Sequence, residues 1–119
     1  MKGIVLFGHG SRAADYLRPF EQIKAQMLAR QPAALVALGF LELSRPSFEE
    51  AIESLHQLGA TQISVVPIFF GPGRHVQKDL PQLAANALAR YPDLSIHLCP
   101  PVGEIPEVIA AMADFALSH

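Results

Sequence analysis

The chain has 119 residues, of which 50% are hydrophobic, and its formal net charge at pH 7 is -2. These values fit a single domain over residues 1–119 with a buried core, and they exclude the basic surface that nucleic-acid binding requires. The one cysteine, Cys99, excludes an internal disulfide. Because neither a signal-peptide pattern nor a long uncharged apolar segment is present, we expect a cytoplasmic protein that does not enter the membrane.

Four apolar segments alternate with four segments of helical spacing. The apolar segments, residues 2–7, 34–41, 62–70 and 94–99, are nearly continuous, which is typical of parallel strands covered on both faces. The segments of helical spacing are residues 17–29, 47–58, 80–91 and 104–117. Since no linker, charge block or low-complexity tract interrupts them, the sequence predicts a three-layer α/β fold, doubly wound around a mainly parallel four-stranded sheet.

Local signals set the limits of several helices. Pro19 is tolerated only in a first helical turn, so residues 12–16 should form an exposed loop. Ser47 is a plausible helix cap, and Glu50 should lie on a solvated helix face. The last predicted helix has apolar residues on one side and alanines elsewhere. We therefore expect a second buried face there, as at a dimer interface.

Three candidate metal ligands follow three of the predicted strands. His9 follows the first strand, Glu42 the second, and His75 ends the loop after the third. The carboxyl ends of parallel strands converge on one crevice. Two histidines and a carboxylate offer ligands suited to cobalt, nickel, iron or zinc, with coordination positions left open. A neutral His9 can also accept a proton near pH 7, whereas a histidine that only supports a turn is the alternative.

The Gly8-His9-Gly10-Ser11 run could instead be an anion-binding turn, with main-chain amides and Ser11 facing a phosphate or carboxylate. It lacks the dinucleotide fingerprint and the eight-residue phosphate loop, which disfavours nucleotide binding. No nucleophile elbow surrounds Ser11. Ser11 is therefore predicted to position a ligand rather than to attack it.

Three arginines lie within three residues of the candidate ligands, namely Arg12, Arg45 and Arg74. Guanidinium groups bind carboxylates in bidentate geometry. Three of them around one crevice therefore predict a large polyanionic substrate, the alternative being that they are solvated surface charges.

Four segments of the chain form a combination of motifs, namely residues 8–12 (GHGSR), 39–46 (GFLELSRP), 66–75 (VPIFFGPGRH) and 79–81 (DLP). In this order they resemble the small CbiX-type sirohydrochlorin cobaltochelatases. The similarity covers nearly the whole chain. It implies a chelatase-like half domain that pairs as a homodimer.

The resemblance also implies a function, a metal-tetrapyrrole lyase that inserts a divalent metal into sirohydrochlorin. Co²⁺ would serve the route to cobalamin, Fe²⁺ the route to sirohaem, Ni²⁺ is a further candidate, and no organic cofactor is needed. His9 would be proton acceptor and metal ligand, with His75 a second ligand. To these roles we add, from the residues themselves, the hypothesis that Glu42 assists as acid, base or ligand. The residues implied to contact the tetrapyrrole are Arg45, Phe70, Gly71, Pro72, Gly73, Arg74 and His75.

Two alternatives use the same residues. A sirohydrochlorin ferrochelatase would differ in its metal, and a carrier of metal or tetrapyrrole would bind without turnover. A phosphate-binding signalling module is disfavoured. Such a module needs an acidic cluster at the end of the first strand, whereas this strand ends in Gly8-His9-Gly10.

Overall fold

The computed structural model describes residues 1–71 and 73–119, and for Arg74 and His75 it describes the main chain only. The described residues form a four-stranded parallel sheet of order β2-β1-β3-β4. The strands are β1 (Lys2–Gly8), β2 (Leu35–Phe40), β3 (Gln62–Pro67) and β4 (Ser95–Leu98). The helices are α1 (Arg18–Arg30), α2 (Phe48–Gln57), α3 (Arg74–Arg90) and α4 (Pro106–Leu117), with a 3-10 turn at Val102–Glu104 before α4.

An apolar cluster covers each face of the sheet. On one face, α2 and α3 pack over a cluster that includes the fully buried Phe7 and Val65. On the other face, α1 packs over β1 and β2, where Phe20 contacts Phe40 edge to face at 5.0 Å between ring centroids. Right-handed crossovers in opposite directions place these helices on opposite faces. The predicted doubly wound α/β fold is confirmed.

The predicted starts of the first two helices are close to the observed ones. Pro19 lies in the first turn of α1, and residues 12–15 are exposed as predicted. Tyr16, which was also predicted to be exposed, is half-buried against the apolar cluster under α1. Ser47 Oγ accepts a 3.1 Å hydrogen bond from the amide of Glu50, and the Glu50 carboxylate accepts one of 2.9 Å from the amide of Ser47. This reciprocal capping box confirms Ser47 as the cap. It also shows that Glu50 caps the helix rather than merely facing solvent, which corrects the prediction for that residue.

The third strand is shorter than predicted. The amide of Ile68 still donates to the carbonyl of Phe7 at 2.8 Å, but β3 ends at Pro67 and the chain then leaves the sheet. Phe70, predicted to lie in the strand, is 74% exposed. An apolar run cannot by itself distinguish a buried strand from an apolar surface loop, which explains the error.

The third helix begins at Arg74, six residues before the predicted start at residue 80. Its buried stripe begins at Val76 and continues through Leu80 and Ala84, at the four-residue spacing of one helix face. Pro81 lies inside the helix. Burial of the stripe therefore outweighs the hydrogen bond that proline cannot donate.

Helix α4 is the exception to the layered packing. Its residues 109–117 are all exposed, with Ile109 at 47% and Phe115 at 67%. The turn before it is held against the β3–α3 connection, where a Cβ on Gly103 would lie 2.2 Å from the Cα of Phe70. The buried face predicted for this helix is therefore not supplied by the described part of its own chain. None of the described helices has both the length and the apolar character needed to cross a membrane.

Candidate functional site

The loops that follow β1, β2 and β3 meet at the carboxyl edge of the sheet. Strand β1 lies between β2 and β3, and its helix α1 packs on the face opposite to α3. This reversal is the switch point at which open α/β sheets bind ligands. His9 follows β1, Glu42 lies two residues after β2, and the segment after β3 leads to the main chain of His75. The three predicted candidate positions therefore share one edge.

His9 and Glu42 are neighbours through their main chains. The amide of Glu42 donates to the carbonyl of His9 at 3.1 Å, and one residue earlier the amide of Leu41 donates to Gly8 at 3.0 Å. Both the His9 and the Glu42 side chains are exposed. The His9 ring lies beside that of Phe69, with centroids 6.0 Å apart. Both side chains can therefore reach a ligand above the sheet edge.

Gly10 makes this close approach possible. Its φ of +98° lies in the left-handed region, and a Cβ there would sit 1.6 Å from the carbonyl oxygen of Glu42. Leu43, opposite, also has a positive φ of 66°. Unfavourable main-chain geometry of this kind clusters at functional sites.

Three amides of the His9 loop are occupied within the protein. Gly10 donates to Tyr16 Oη at 3.0 Å, Ser11 to Ser44 Oγ at 2.9 Å, and Ala13 to Ser11 Oγ at 3.0 Å. These three amides are therefore not free to hold an anion, which disfavours the alternative of an amide-lined anion-binding turn. The Ser11 hydroxyl keeps its own proton for donation to a ligand.

Arg45 is engaged by a carboxylate of its own chain. Its guanidinium forms an ion pair with Glu50, in which Nε donates to Oε1 at 3.3 Å. This hydrogen bond, and then the one from the amide of Ser47, lower the pKa of Glu50 to about 2. The pair also raises the pKa of Arg45. Because the Arg45 side chain is 82% exposed, the pair is solvated and weak enough to exchange for a ligand carboxylate.

Several predicted site residues lie on the connection to α3. Phe70 and Gly71 are exposed there, and Gly73 caps α3 in an extended conformation. The predicted roles of Pro72 and of the Arg74 and His75 side chains lie outside the described residues and stay predictions. Among the described side chains, no three from His, Cys, Asp and Glu come together as a metal-binding group.

Two residues close to this site were missed by the sequence analysis. Ser44 bonds the His9 loop, and Tyr16 supports Gly10. Ser44 stands inside the motif at residues 39–46, which was a usable signal. Tyr16 carries no local signal, since its role depends on which segments the fold brings together.

The comparison with known proteins identifies the family. A model of the CbiX family matches residues 3–117. The chain belongs to the CbiX family. This CbiX-family chain is 29% identical over 120 residues to the chloroplastic sirohydrochlorin ferrochelatase of Arabidopsis thaliana, a match that covers 98% of the chain and 53% of that protein. It spans about half the length of the curated relatives it matches.

Solved structures agree with the CbiX assignment. A CbiX protein of Marinobacter aquaeolei VT8 superposes with a TM-score of 0.85 at 29% identity, with 99% of this chain and 96% of that chain covered. The sirohydrochlorin chelatase SirB of Bacillus subtilis subspecies spizizenii, solved in complex with cobalt, gives a TM-score of 0.83 at 31% identity. That match covers 98% of this chain and 50% of the SirB chain. The resemblance drawn from the sequence motifs is confirmed.

Proposed function

We propose that this chain is a sirohydrochlorin chelatase, a lyase-class enzyme that inserts a divalent metal ion into the tetrapyrrole. The observation that carries the proposal is the pairing of His9 with Glu42 at the switch point of a CbiX-family fold. An exposed imidazole beside an exposed carboxylate supplies a metal ligand and an acid-base group at one place.

The surroundings of His9 suit the substrate. Sirohydrochlorin carries eight carboxylates around a flat apolar ring, so it needs cations at its rim and apolar contacts beneath. Arg12 and Arg45 are exposed at this edge, and Phe70 and Leu43 expose 74% and 55% of their surface. We assign Ser11, Arg12, Arg45 and residues 70–75, including Arg74, to substrate binding.

Metal insertion has two costs that these residues lower. The ion must lose bound water, and two pyrrole N–H groups must lose their protons. His9 and His75 replace water on the incoming ion, which makes its release into the ring easier. Once the metal has moved, the freed nitrogen of His9 accepts one pyrrole proton, and Glu42 assists removal of the other.

We propose Co²⁺ as the physiological metal and no organic cofactor. Nitrogen and carboxylate ligands also accept Fe²⁺ and Ni²⁺, so selectivity depends on geometry and metal supply. Support for cobalt comes from the relatives of Methanococcus maripaludis and Methanosarcina barkeri, which are named sirohydrochlorin cobaltochelatases, whereas the Arabidopsis relative is named a ferrochelatase. Insertion rates measured with Co²⁺, Fe²⁺ and Ni²⁺ in parallel decide between them, and a faster Fe²⁺ reaction would assign the chain to sirohaem.

The direct test is an anaerobic absorbance time course of sirohydrochlorin with excess Co²⁺ and limiting protein, against a protein-free control. We expect many turnovers per protein. His9→Ala should lower the rate about 10²- to 10⁴-fold, the usual contribution of an acid-base group. The matched control is His56→Ala, because His56 lies at the far end of α2 and pairs with Asp93 at 3.1 Å. Saturation at one ligand per chain without turnover would identify a carrier.

The proposed active form is a cytoplasmic homodimer of the 119-residue domain. An apolar helix of this length is marginally stable alone in water. Exposed residues on α4, including Ile109 and Phe115, therefore favour a partner, and a second copy of the chain is the partner we propose.

A further inference from the structure

We propose that Ser44 is a positioning residue that fixes His9 relative to Glu42. The proposal rests on the function proposed above and deepens it. Ser44 lies on the loop after β2, 33 residues from Ser11, to which its hydroxyl is bonded twice. It is half-buried and, unlike His9, does not itself have to touch the substrate.

Two main-chain hydrogen bonds join the segments at the ends of the first two strands. The amides of Leu41 and Glu42 donate to the carbonyls of Gly8 and His9. Beyond Glu42, the left-handed φ of Leu43 turns the chain, and the amide of Ser44 donates back to Glu42 at 2.7 Å. That amide is then unavailable to the His9 loop.

The Ser44 hydroxyl forms the hydrogen bonds to the His9 loop that the Ser44 amide does not form. It accepts from the amide of Ser11 at 2.9 Å and donates to the carbonyl of the same residue at 2.9 Å. A single side chain thereby bonds both the amide and the carbonyl of Ser11, as the main chain of a neighbouring strand would. The loop carrying His9 is held on this side by Ser44 and on the other by Tyr16, which accepts from Gly10 at 3.0 Å.

These two hydrogen bonds matter because the His9 side chain is exposed and has little packing of its own. Its orientation depends on the main chain on either side of it. Loss of the Ser44 hydroxyl frees the amide and carbonyl of Ser11, and with them the segment that follows His9. Displacement of a reacting group by about 1 Å can lower a rate by about 10²-fold.

The experiment measures kcat and KM for Co²⁺ insertion in Ser44→Ala and Ser44→Thr. We expect kcat to fall about 10- to 100-fold in Ser44→Ala, with the KM for sirohydrochlorin changed less than about threefold. Ser44→Thr should retain most of kcat because it keeps the hydroxyl. Ser54→Ala, an exposed serine on α2, is the matched control and should behave as wild type. An unchanged kcat in Ser44→Ala would overturn the proposal.

A double mutant separates positioning from general support of the fold. If Ser44 acts through His9, then Ser44→Ala in a His9→Ala background changes kcat by less than about twofold. A full further loss in that background would show a merely structural role and overturn the proposal. If Ser44→Ala does not fold, Tyr16→Phe releases the same loop from its other side and is judged by the same double-mutant comparison.

A separate readout distinguishes failure of this proposal from failure of the proposed function. The Co²⁺-induced change in the NMR signals of the His9 ring needs no turnover. We expect half-saturation in Ser44→Ala at a several-fold higher Co²⁺ concentration than in wild type. If the wild type is inactive but Ser44→Ala still needs more Co²⁺ for half-saturation, the chelatase function is rejected and the positioning role is retained. If wild type and Ser44→Ala reach half-saturation at the same Co²⁺ concentration, the positioning role is rejected.

Discussion

The amide of Glu42 donates a 3.1 Å hydrogen bond to the carbonyl of His9, so the two predicted catalytic residues are joined directly through their main chains. This bond lies just beyond the last paired residues of the two strands, Gly8 and Phe40. The separation of His9 and Glu42 is therefore set by a main-chain contact rather than by side-chain packing. Changes to the main chain at this point should therefore matter more than changes to surrounding side chains.

Gly10→Ala tests this relationship. The added Cβ would overlap the carbonyl of Glu42, and alanine disfavours the φ of +98°. We expect destabilisation of at least about 2 kcal/mol in urea unfolding and loss of metal insertion. Gly71→Ala is the control, since the nearest atom to its Cβ is Glu104 Oε2 at 4.0 Å, and it should stay within about 0.5 kcal/mol of wild type. Equal free energies of unfolding for Gly10→Ala and Gly71→Ala would contradict the predicted overlap between the added Cβ and the Glu42 carbonyl.

Arg45→Lys tests the role of the guanidinium fork. Lysine keeps the charge but cannot form a bidentate contact with a carboxylate. Because the site is exposed, we expect a modest effect, a rise of about fivefold in KM for sirohydrochlorin with kcat nearly unchanged. Arg90→Lys is the control, because Arg90 lies over the Tyr91 ring at the other end of α3. If Arg45→Lys and Arg90→Lys have the same KM for sirohydrochlorin, Arg45 does not contact the substrate.

Glu50→Gln should alter the acid sensitivity of the fold. The pKa of Glu50 is lowered to about 2 in the folded protein, so its ionised form stabilises the fold above the ordinary value of 4.5 and this contribution disappears as pH falls towards 2. The variant should therefore be less stable than wild type at pH 7 and equally stable near pH 2, by urea midpoints. Glu49→Gln, in the same helical turn, should show a smaller difference at pH 7. A Glu50→Gln difference that does not depend on pH would contradict the ion pair.

Phe115→Glu tests the proposed dimer. Phe115 is 67% exposed on α4, so a charge there costs little in a monomer but would be buried at an interface. We expect light scattering after size exclusion to give a dimer for wild type and a monomer for the variant. Leu58→Glu, which places the same charge on a residue 59% exposed at the end of α2, should remain a dimer. A wild-type monomer would reject the homodimer altogether.

Prediction from the sequence succeeded where the signal was local and repeated. Continuous apolar runs identified the strands, the stripe spacing identified the helices, and the Ser47 signal identified the start of α2. It failed at Phe70, because an exposed apolar loop and a buried strand have the same composition. It also missed the start of α3, because residues 74–79 (RHVQKD) contain a single apolar residue and give little helical periodicity. The order β2-β1-β3-β4 was not predicted, because alternating elements and right-handed connections are compatible with more than one strand order.

The amino-acid sequence by itself determined the α/β class, the CbiX resemblance and the positions of His9 and Glu42 at strand ends, since each follows from residues close together in the chain. Only the tertiary structure decided that Ser44 and Tyr16 hold the His9 loop, that Glu50 engages Arg45, and that α4 lacks a cover within the described residues. The bonds between Ser44 and Ser11 join segments 33 residues apart, and they form only when the sheet brings those segments together. The Arg45–Glu50 pair is closer in sequence but depends on the geometry of the turn before α2. Their specificity lies in distances and directions that no local pattern encodes.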